Sequence, residues 1–156
     1  MNSNQIALVQ QSFTKVIPIA ETAAALFYAR LFELDPALKM LFKHDMREQG
    51  QMLMQTLGFA VKGLGQPQAI LPAVRALGKR HNLYGVQDSD YATVGAALLW
   101  TLEQGLGDEF TFEVRAAWTE AFSVLANVMK AAAAQDRKEE LASRVPLTLH
   151  PAAGLI

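Results

Sequence analysis

The sequence predicts an all-α protein, and three observations support this prediction. Apolar residues recur every three to four positions through most of the 156 residues, which is the spacing of one helix face. Alternation with a period of two is not sustained, and there is no Asn-Gly or Asp-Gly pair to close a β-hairpin. Prolines and glycines fall mainly between the periodic segments. We therefore expect about seven helices with short connections.

The first three predicted helices cover residues 4–17, 20–34 and 36–42. Ser3 is a candidate cap for the first helix, and Pro18 separates it from the second. The third is short and begins with an Asp-Pro pair, which is typical of a cap followed by proline in the first turn. The polar residues 43–47 are predicted to form a loop.

Four longer helices are predicted at 48–64, 68–83, 89–106 and 111–134. The sequence Gly-Gln-Pro ends the first of them, and a break at Pro72 is possible in the second. Gly85 can take the positive φ that often follows a helix. Ser89 or Asp90 is expected to cap the third helix, and Thr111 the fourth.

The domain prediction is one globular domain, residues 1–134, followed by a different C-terminal segment. Residues 135–156 begin with a charged run and end in LTLHPAAGLI. We expect this tail to be partly disordered or loosely docked.

Composition excludes several functional classes. Hydrophobic residues make up 51% of the chain and charged residues 19%, so a full core can be buried. A net charge of -1 gives no support for nucleic-acid binding. The absence of cysteine excludes disulfides, cysteine-ligated metals and thiol catalysis. No signal peptide or membrane span is visible, and we expect a cytoplasmic protein.

His81 is the histidine whose position suggests chemistry. It shares a helix face with Leu77 and Tyr84, at spacings of four and three residues. Spacing alone favours an ordinary buried histidine over a metal ligand. A zinc site needs three or four protein ligands, and no partners stand at ligand spacing. Haem supplies four nitrogens of its own, so it is a cofactor that one protein histidine can hold.

Several motifs occur in an order that resembles the globins. They are LFYARLF at 26–32, PALKMLF at 36–42, LGKRH at 77–81 followed by YGV at 84–86, and AAW at 116–118 with Phe122 beyond it. The chain is similar to bacterial single-domain globins related to neuroglobin and to the globin domain of flavohaemoglobins. The resemblance covers roughly residues 5–130. It implies a globin fold, a 3-on-3 helical sandwich around haem b (iron protoporphyrin IX).

The resemblance also implies roles for individual residues. His81 would be the proximal iron ligand, oriented by the carbonyl of Leu77. Tyr28 and Gln49 would lie on the distal side, where the gas binds, with Leu53 one turn beyond Gln49. The residues implied to line the haem are Phe42, Leu53, Leu77, Arg80, His81, Tyr84, Val86, Tyr91 and Val94.

Departures from the family pattern leave several assignments open. Met52 stands where a basic side chain often reaches a haem propionate, so Arg80 or Lys79 could serve instead, or both could simply be solvated. Gln49 replaces the distal histidine of many globins, which disfavours a bis-histidine form. Tyr28 as a phenolate, or His44, could still approach ferric iron.

The resemblance implies reversible O₂ binding, for transport or storage, with NO and CO as further ligands. Tyr28 and Gln49 could both donate hydrogen bonds to the bound gas. An NO dioxygenase is the enzymatic alternative. It would need an external reductase, because the sequence has no GxGxxG dinucleotide fingerprint. Gas sensing through a partner and a haem-free regulatory globin fold are two further hypotheses.

Overall fold

The structure of the chain, a computed structural model, describes residues 1–143 and contains six α-helices in that range. Three 3-10 turns, Ile17–Ile19, Pro36–Leu41 and Gly107–Glu109, join some of them. No β-strand occurs in the described residues, which confirms the all-α prediction. Within the same range, no helix is both long and apolar enough to cross a bilayer. The helices are α1 (Ser3–Val16), α2 (Ala20–Leu34), α3 (Met46–Gly63), α4 (Pro67–Leu83), α5 (Asp90–Leu106) and α6 (Phe112–Ser143).

The helices form two layers of three. Helices α1, α3 and α4 lie over α2, α5 and α6, with α1 and α4 packed on α6 and α2 packed on α3. This arrangement confirms the predicted 3-on-3 sandwich. One core cluster joins α1 to α6, where the buried indole Nε1 of Trp118 donates to Ser12 Oγ at 2.8 Å. A second cluster lies around α2, and a third between α4 and α6.

Two helix starts differ from the prediction. Helix α1 is capped by Asn2 and not by Ser3, because the Asn2 side chain and Gln5 bond each other's backbone N–H groups at 2.8 and 3.0 Å. Helix α3 begins inside the predicted loop, since the Asp45 carboxylate accepts from the Arg47 N–H at 2.8 Å. In both cases a short polar side chain placed by the turn selects the first residue of the helix.

Two further expectations, a break inside α4 and a side-chain cap at the start of α5, are not met. Helix α4 continues through Pro72 without a break. Pro72 and Gln68, whose carbonyl loses its helical donor, are both exposed, so water can satisfy that carbonyl. Ser89 makes no side-chain cap at α5; the Asp90 carboxylate instead accepts from the Gln87 N–H at 2.9 Å.

Three other predictions about helix ends are confirmed. Thr111 Oγ1 accepts from the Val114 N–H at 3.2 Å at the start of α6. Asp35 caps the segment predicted at 36–42, although that segment is a 3-10 helix. Gly85 follows α4 with a φ of 97°, a conformation that favours glycine.

Helix α6 is longer than predicted, because it extends past residue 134 to Ser143. The alanine run at 131–134 favours helix, and Gln135 Nε2 donates to Glu139 one turn later at 3.1 Å. Arg137 also donates to Asn82 Oδ1 at 2.8 Å, which ties this extension to the end of α4. The remainder of the predicted tail, residues 144–156, lies outside the described residues. The proposed domain boundary after residue 134 stays a prediction.

Candidate functional site

A deep slot opens between α3 and α4 on one side and α5 and α6 on the other. Its walls are almost entirely apolar, and its atom-free space, including the open mouth, is about 950 Å³. Twenty residues from α2 to α6 contribute to this lining, and a continuous apolar surface of this kind suits an apolar organic group. Seven of the residues predicted to line a cofactor do line the slot: Phe42, Leu53, Leu77, His81, Val86, Tyr91 and Val94.

His81 is the basic side chain in the slot wall. Its side chain is buried, with 3% of its surface exposed. The Nδ1–H group donates to the Leu77 carbonyl at 2.8 Å, which fixes the tautomer and the ring orientation. Nε2 is buried and has no hydrogen-bond partner in the described residues. The ring therefore offers one unshared nitrogen lone pair.

Burial keeps this imidazole neutral. Burial lowers the pKa of His81 most, the bond to Leu77 raises it and the charge of Arg80 lowers it, and the net pKa is about 4. The physical cause is the loss of water around the charged form. A neutral ring is the form that can coordinate a metal.

The depressed pKa predicts a pH dependence of stability for the chain free of any bound group. Between pH 6.5 and about 4 the unfolded chain binds more protons at His81 than the folded chain does. The free energy of unfolding should therefore fall as the pH falls through this window, and at pH 5 it should be about 2 kcal/mol lower than at pH 7. Urea unfolding at pH 7 and pH 5 would measure the loss. His81→Leu should lose less than wild type, and an equal loss in both proteins would contradict the prediction.

Tyr28 and Gln49, the predicted distal residues, are not in the wall of the slot itself. Both are buried, with 4% of each exposed, and neither the Tyr28 hydroxyl nor Gln49 Nε2 has a partner in the described residues. The Tyr28 ring packs edge-on against Phe42, whose ring lines the slot, at a centroid distance of 5.3 Å. Burial raises the pKa of Tyr28, so its hydroxyl stays protonated and can donate.

Close packing of α2 on α3 accounts for the burial of this pair. Gly50, next to Gln49, faces Ala24 so closely that an added Cβ would lie 3.0 Å from the Ala24 Cβ. The two unpaired polar groups therefore lie where the helices cross. Unsatisfied buried donors are uncommon and indicate a ligand or a water site.

Arg80 and Tyr84 do not line the slot. Arg80 and Lys79 are exposed, and Tyr84 is half-buried at the end of α4, where its N–H bonds to the Arg80 carbonyl at 3.1 Å. His44 is exposed in the connection before α3. Their predicted roles stay predictions.

The structure adds wall residues that were not predicted. Leu57 and Ala60 line the slot from α3, and Leu125 and Met129 line it from α6. The signal for them was present, since Leu57 and Ala60 continue the helix face of Leu53. What the pattern could not show is which buried face borders the slot and which borders the solid core.

The described residues contain no cluster of side chains that could hold a metal ion by themselves. No group of three or more His, Asp or Glu side chains comes together there in a way that could hold an ion. The unpaired nitrogen of His81 therefore fits a group that brings its other ligands with it.

Comparison with known families identifies the chain. The sequence model of the family described as Globin matches residues 25–129. The chain is a globin. Two curated relatives are flavohemoproteins. This globin is 29% identical over 128 residues to that of Xylella fastidiosa and 30% identical over 122 residues to that of Rhizobium meliloti. The matches cover 80% and 74% of this chain but 32% and 30% of the relatives. The globin thus spans about a third of their length.

Solved structures show the same fold. An engineered carbene transferase, a proposed nitric oxide dioxygenase from Rhodothermus marinus, superposes on this globin with a TM-score of 0.81 and 26% identity. The match covers 91% of this chain and 99% of that one. A hexacoordinated heme protein from an anhydrobiotic tardigrade matches with a TM-score of 0.78 at 16% identity, over 86% of this chain and 96% of that one. The second likeness shows the fold alone.

Proposed function

We propose that this globin binds haem b in the apolar slot, where His81 Nε2 would hold the iron. The observation that carries the proposal is the buried, unpaired Nε2 on a neutral ring that the Leu77 carbonyl orients. Bound haem supplies an iron centre that takes up a diatomic gas reversibly. The chain supplies a nitrogen ligand and apolar walls that exclude water. Without cysteine it cannot attach the porphyrin through thioethers.

The Tyr28 hydroxyl and the Gln49 amide are the proposed donors to a bound gas. Both are buried without a partner, so a polar ligand would satisfy groups that otherwise carry a desolvation cost. A hydrogen bond to a group with developing negative charge contributes roughly 1.5–3 kcal/mol. This supports tight, reversible O₂ binding, suited to oxygen storage or transport, with NO and CO as additional ligands.

Tyr28→Phe should speed O₂ dissociation by severalfold or more, because it removes one donor and leaves the ring packing intact. Stopped-flow displacement of O₂ by CO measures the rate. The stability of the gas-free protein should not fall, since the lost hydroxyl makes no hydrogen bond in the described residues. An unchanged dissociation rate would remove Tyr28 from the distal role. Slower refolding or a lower unfolding midpoint of the variant would instead indicate that the Tyr28 hydroxyl stabilises the fold.

Absorption spectra test the cofactor directly. Protein produced with haem supplied should show a Soret band in the ferric, ferrous and ferrous–CO forms. Absence of the band would refute haem binding. Sharp paired visible bands in the ferrous form before CO is added would show that a second protein side chain binds the iron, and would refute an open gas site.

NO dioxygenase activity with an external reductase is the second candidate. The flavohemoprotein relatives and the likeness to a proposed nitric oxide dioxygenase favour it. The reaction joins NO and O₂ into nitrate and consumes one electron per turnover, so a cytoplasmic reductase would have to act on this chain. Sustained NO consumption with a flavin reductase and NADH would support the enzyme. A single turnover, without sustained consumption, would favour gas binding alone.

A further inference from the structure

A second cavity is lined mainly by α5 and α6, with Arg30 of α2 in its wall. We call it the α5–α6 groove; it has about 1240 Å³ of atom-free space, including its open side. Its α5 wall combines the small residues Ala92, Gly95 and Ala96 with larger ones, namely Tyr91, Leu99, Trp100 and Glu103. Phe122 fills the space above Gly95, where an added Cβ would meet the ring at 2.8 Å. The close contact between Gly95 and the Phe122 ring forms part of the groove wall.

Cations and aromatic rings share the walls of this groove. Lys130 Nζ lies 5.5 Å from the ring centroid of Tyr91, and the Arg30 guanidinium lies 5.2 Å from that of Trp100. Each pair is within the range of a cation–π contact. The groove therefore has an apolar, aromatic surface beside positive charge.

The positive charges are not equally neutralised. Arg115 Nη1 lies 3.8 Å from Glu103 Oε2. Arg30 Nη1 pairs with Oε1 of the exposed Glu33 at 2.5 Å. Arg30 Nε is nevertheless buried and without a partner in the described part of the chain. Lys130 forms no ion pair among residues 1–143. Lys130 is thus a half-buried cation without an ion pair from these residues, although the carboxylates of Asp88 and Asp90 act on Tyr91, the ring that it contacts.

We propose that the α5–α6 groove binds an amphipathic organic anion, a medium-chain carboxylate, with its carboxylate at Lys130 and its apolar body directed toward Trp100. Tyr91 and Trp100 are nine residues apart on α5, which is about 13 Å along the helix axis. A medium-chain tail anchored at Lys130 covers most of this axial distance, so its methyl end lies toward Trp100. The α5 wall is apolar from Tyr91 to Trp100, with Glu103 beyond it, and the groove opens to solvent on one side, so such a molecule can enter without displacing the core.

The two tryptophans provide an internal control for this site. Trp100 lines the groove, whereas the Trp118 indole is buried and bonded to Ser12. Octanoate added to the full-length ¹⁵N-labelled chain, in the diamagnetic ferrous–CO form, should shift the Trp100 indole signal and leave that of Trp118 in place. If the chain carries no haem, the same titration is made on the protein as purified, so the two proposals fail separately.

Three variants locate the binding groups. Lys130→Gln should weaken octanoate binding by about threefold to tenfold, because it removes the unpaired cation. Lys138→Gln makes the same charge change at an exposed position of α6 outside the groove, and should bind as wild type does. Ala96→Leu fills the groove from an exposed helix position and should abolish the shift. With 1-octanol, which lacks the carboxylate, Lys130→Gln should match wild type.

Several results would overturn the proposal. In the NMR titration, an unshifted Trp100 signal or an equal shift of both indole signals would overturn it. Among the variants, Lys130→Gln binding octanoate as tightly as wild type would overturn it. So would an equal loss of octanoate affinity in Lys130→Gln and Lys138→Gln. Should Ala96→Leu not fold, the comparison of the two lysine variants still decides the outcome.

Discussion

His81→Gly should lose haem during purification, or hold it at least ~100-fold more weakly than wild type does. Coordination through Nε2 is the proposed link between chain and iron, and a loss of even ~3 kcal/mol raises a dissociation constant by about 150-fold. Haem titration followed at the Soret band measures the affinity. Imidazole in the buffer should restore part of the binding, because the truncated side chain leaves a cavity in the slot wall beside Leu77.

His44→Gly is the matched control, because His44 is exposed and precedes α3. It should retain haem with wild-type spectra. If His81→Gly also retained haem with an unchanged spectrum, His81 would be an ordinary buried histidine. Loss of haem in the His44 variant alone would move the axial ligand to that residue.

Gly78→Ala should destabilise the protein by roughly 1–3 kcal/mol and weaken haem binding with it. Gly78 lies where α4 crosses α6, and an added Cβ would lie 2.5 Å from the Met129 carbonyl oxygen and 2.7 Å from its Cα. Backbone atoms cannot rotate away, so the helices must separate, and overpacking of this kind costs about 1–3 kcal/mol. The better helix propensity of alanine returns at most about 1 kcal/mol. His81, one turn later, would move with α4.

Gly65→Ala provides the comparison, because an added Cβ at Gly65 meets nothing within 4 Å. That variant should be neutral or slightly more stable, since alanine restricts the unfolded chain. Urea unfolding and haem titration of both variants test the prediction. Wild-type stability in Gly78→Ala would show that α4 and α6 can separate at little cost.

Much of the fold could be predicted because the core-facing residues keep helical spacing. The segments that became α2, α4 and α5 were predicted to within a few residues. Helix starts were predicted less well: Asn2 and Ser3 are both good caps, and only the three-dimensional turn decides between them. The predicted α6 is too short because a charged run is typical of a solvated tail, whereas in the structure this run is tied to α4 through Arg137 and Asn82.

The site was predicted in part, for a physical reason. Residues such as Leu53, His81 and Val94 could be named because the resemblance to the globins implied their roles, whereas helical spacing alone predicted only that they are buried. The position of Tyr28 outside the slot wall depends on the distance between α2 and α3, which Ala24 and Gly50 set. Sequence spacing contains no such distance between helices. The α5–α6 groove was missed for the same reason, since it depends on how far α5 stands from α6.

The slot and the α5–α6 groove share part of their walls. Tyr91, Phe122 and Ala126 line both cavities, so in places the barrier between them is one side chain thick. A substitution in this shared wall enlarges or reduces both volumes at once, and selection on either cavity constrains the other. Engineering of the interior should therefore change residues that face only one cavity, such as Leu57 for the slot or Ala92 for the groove.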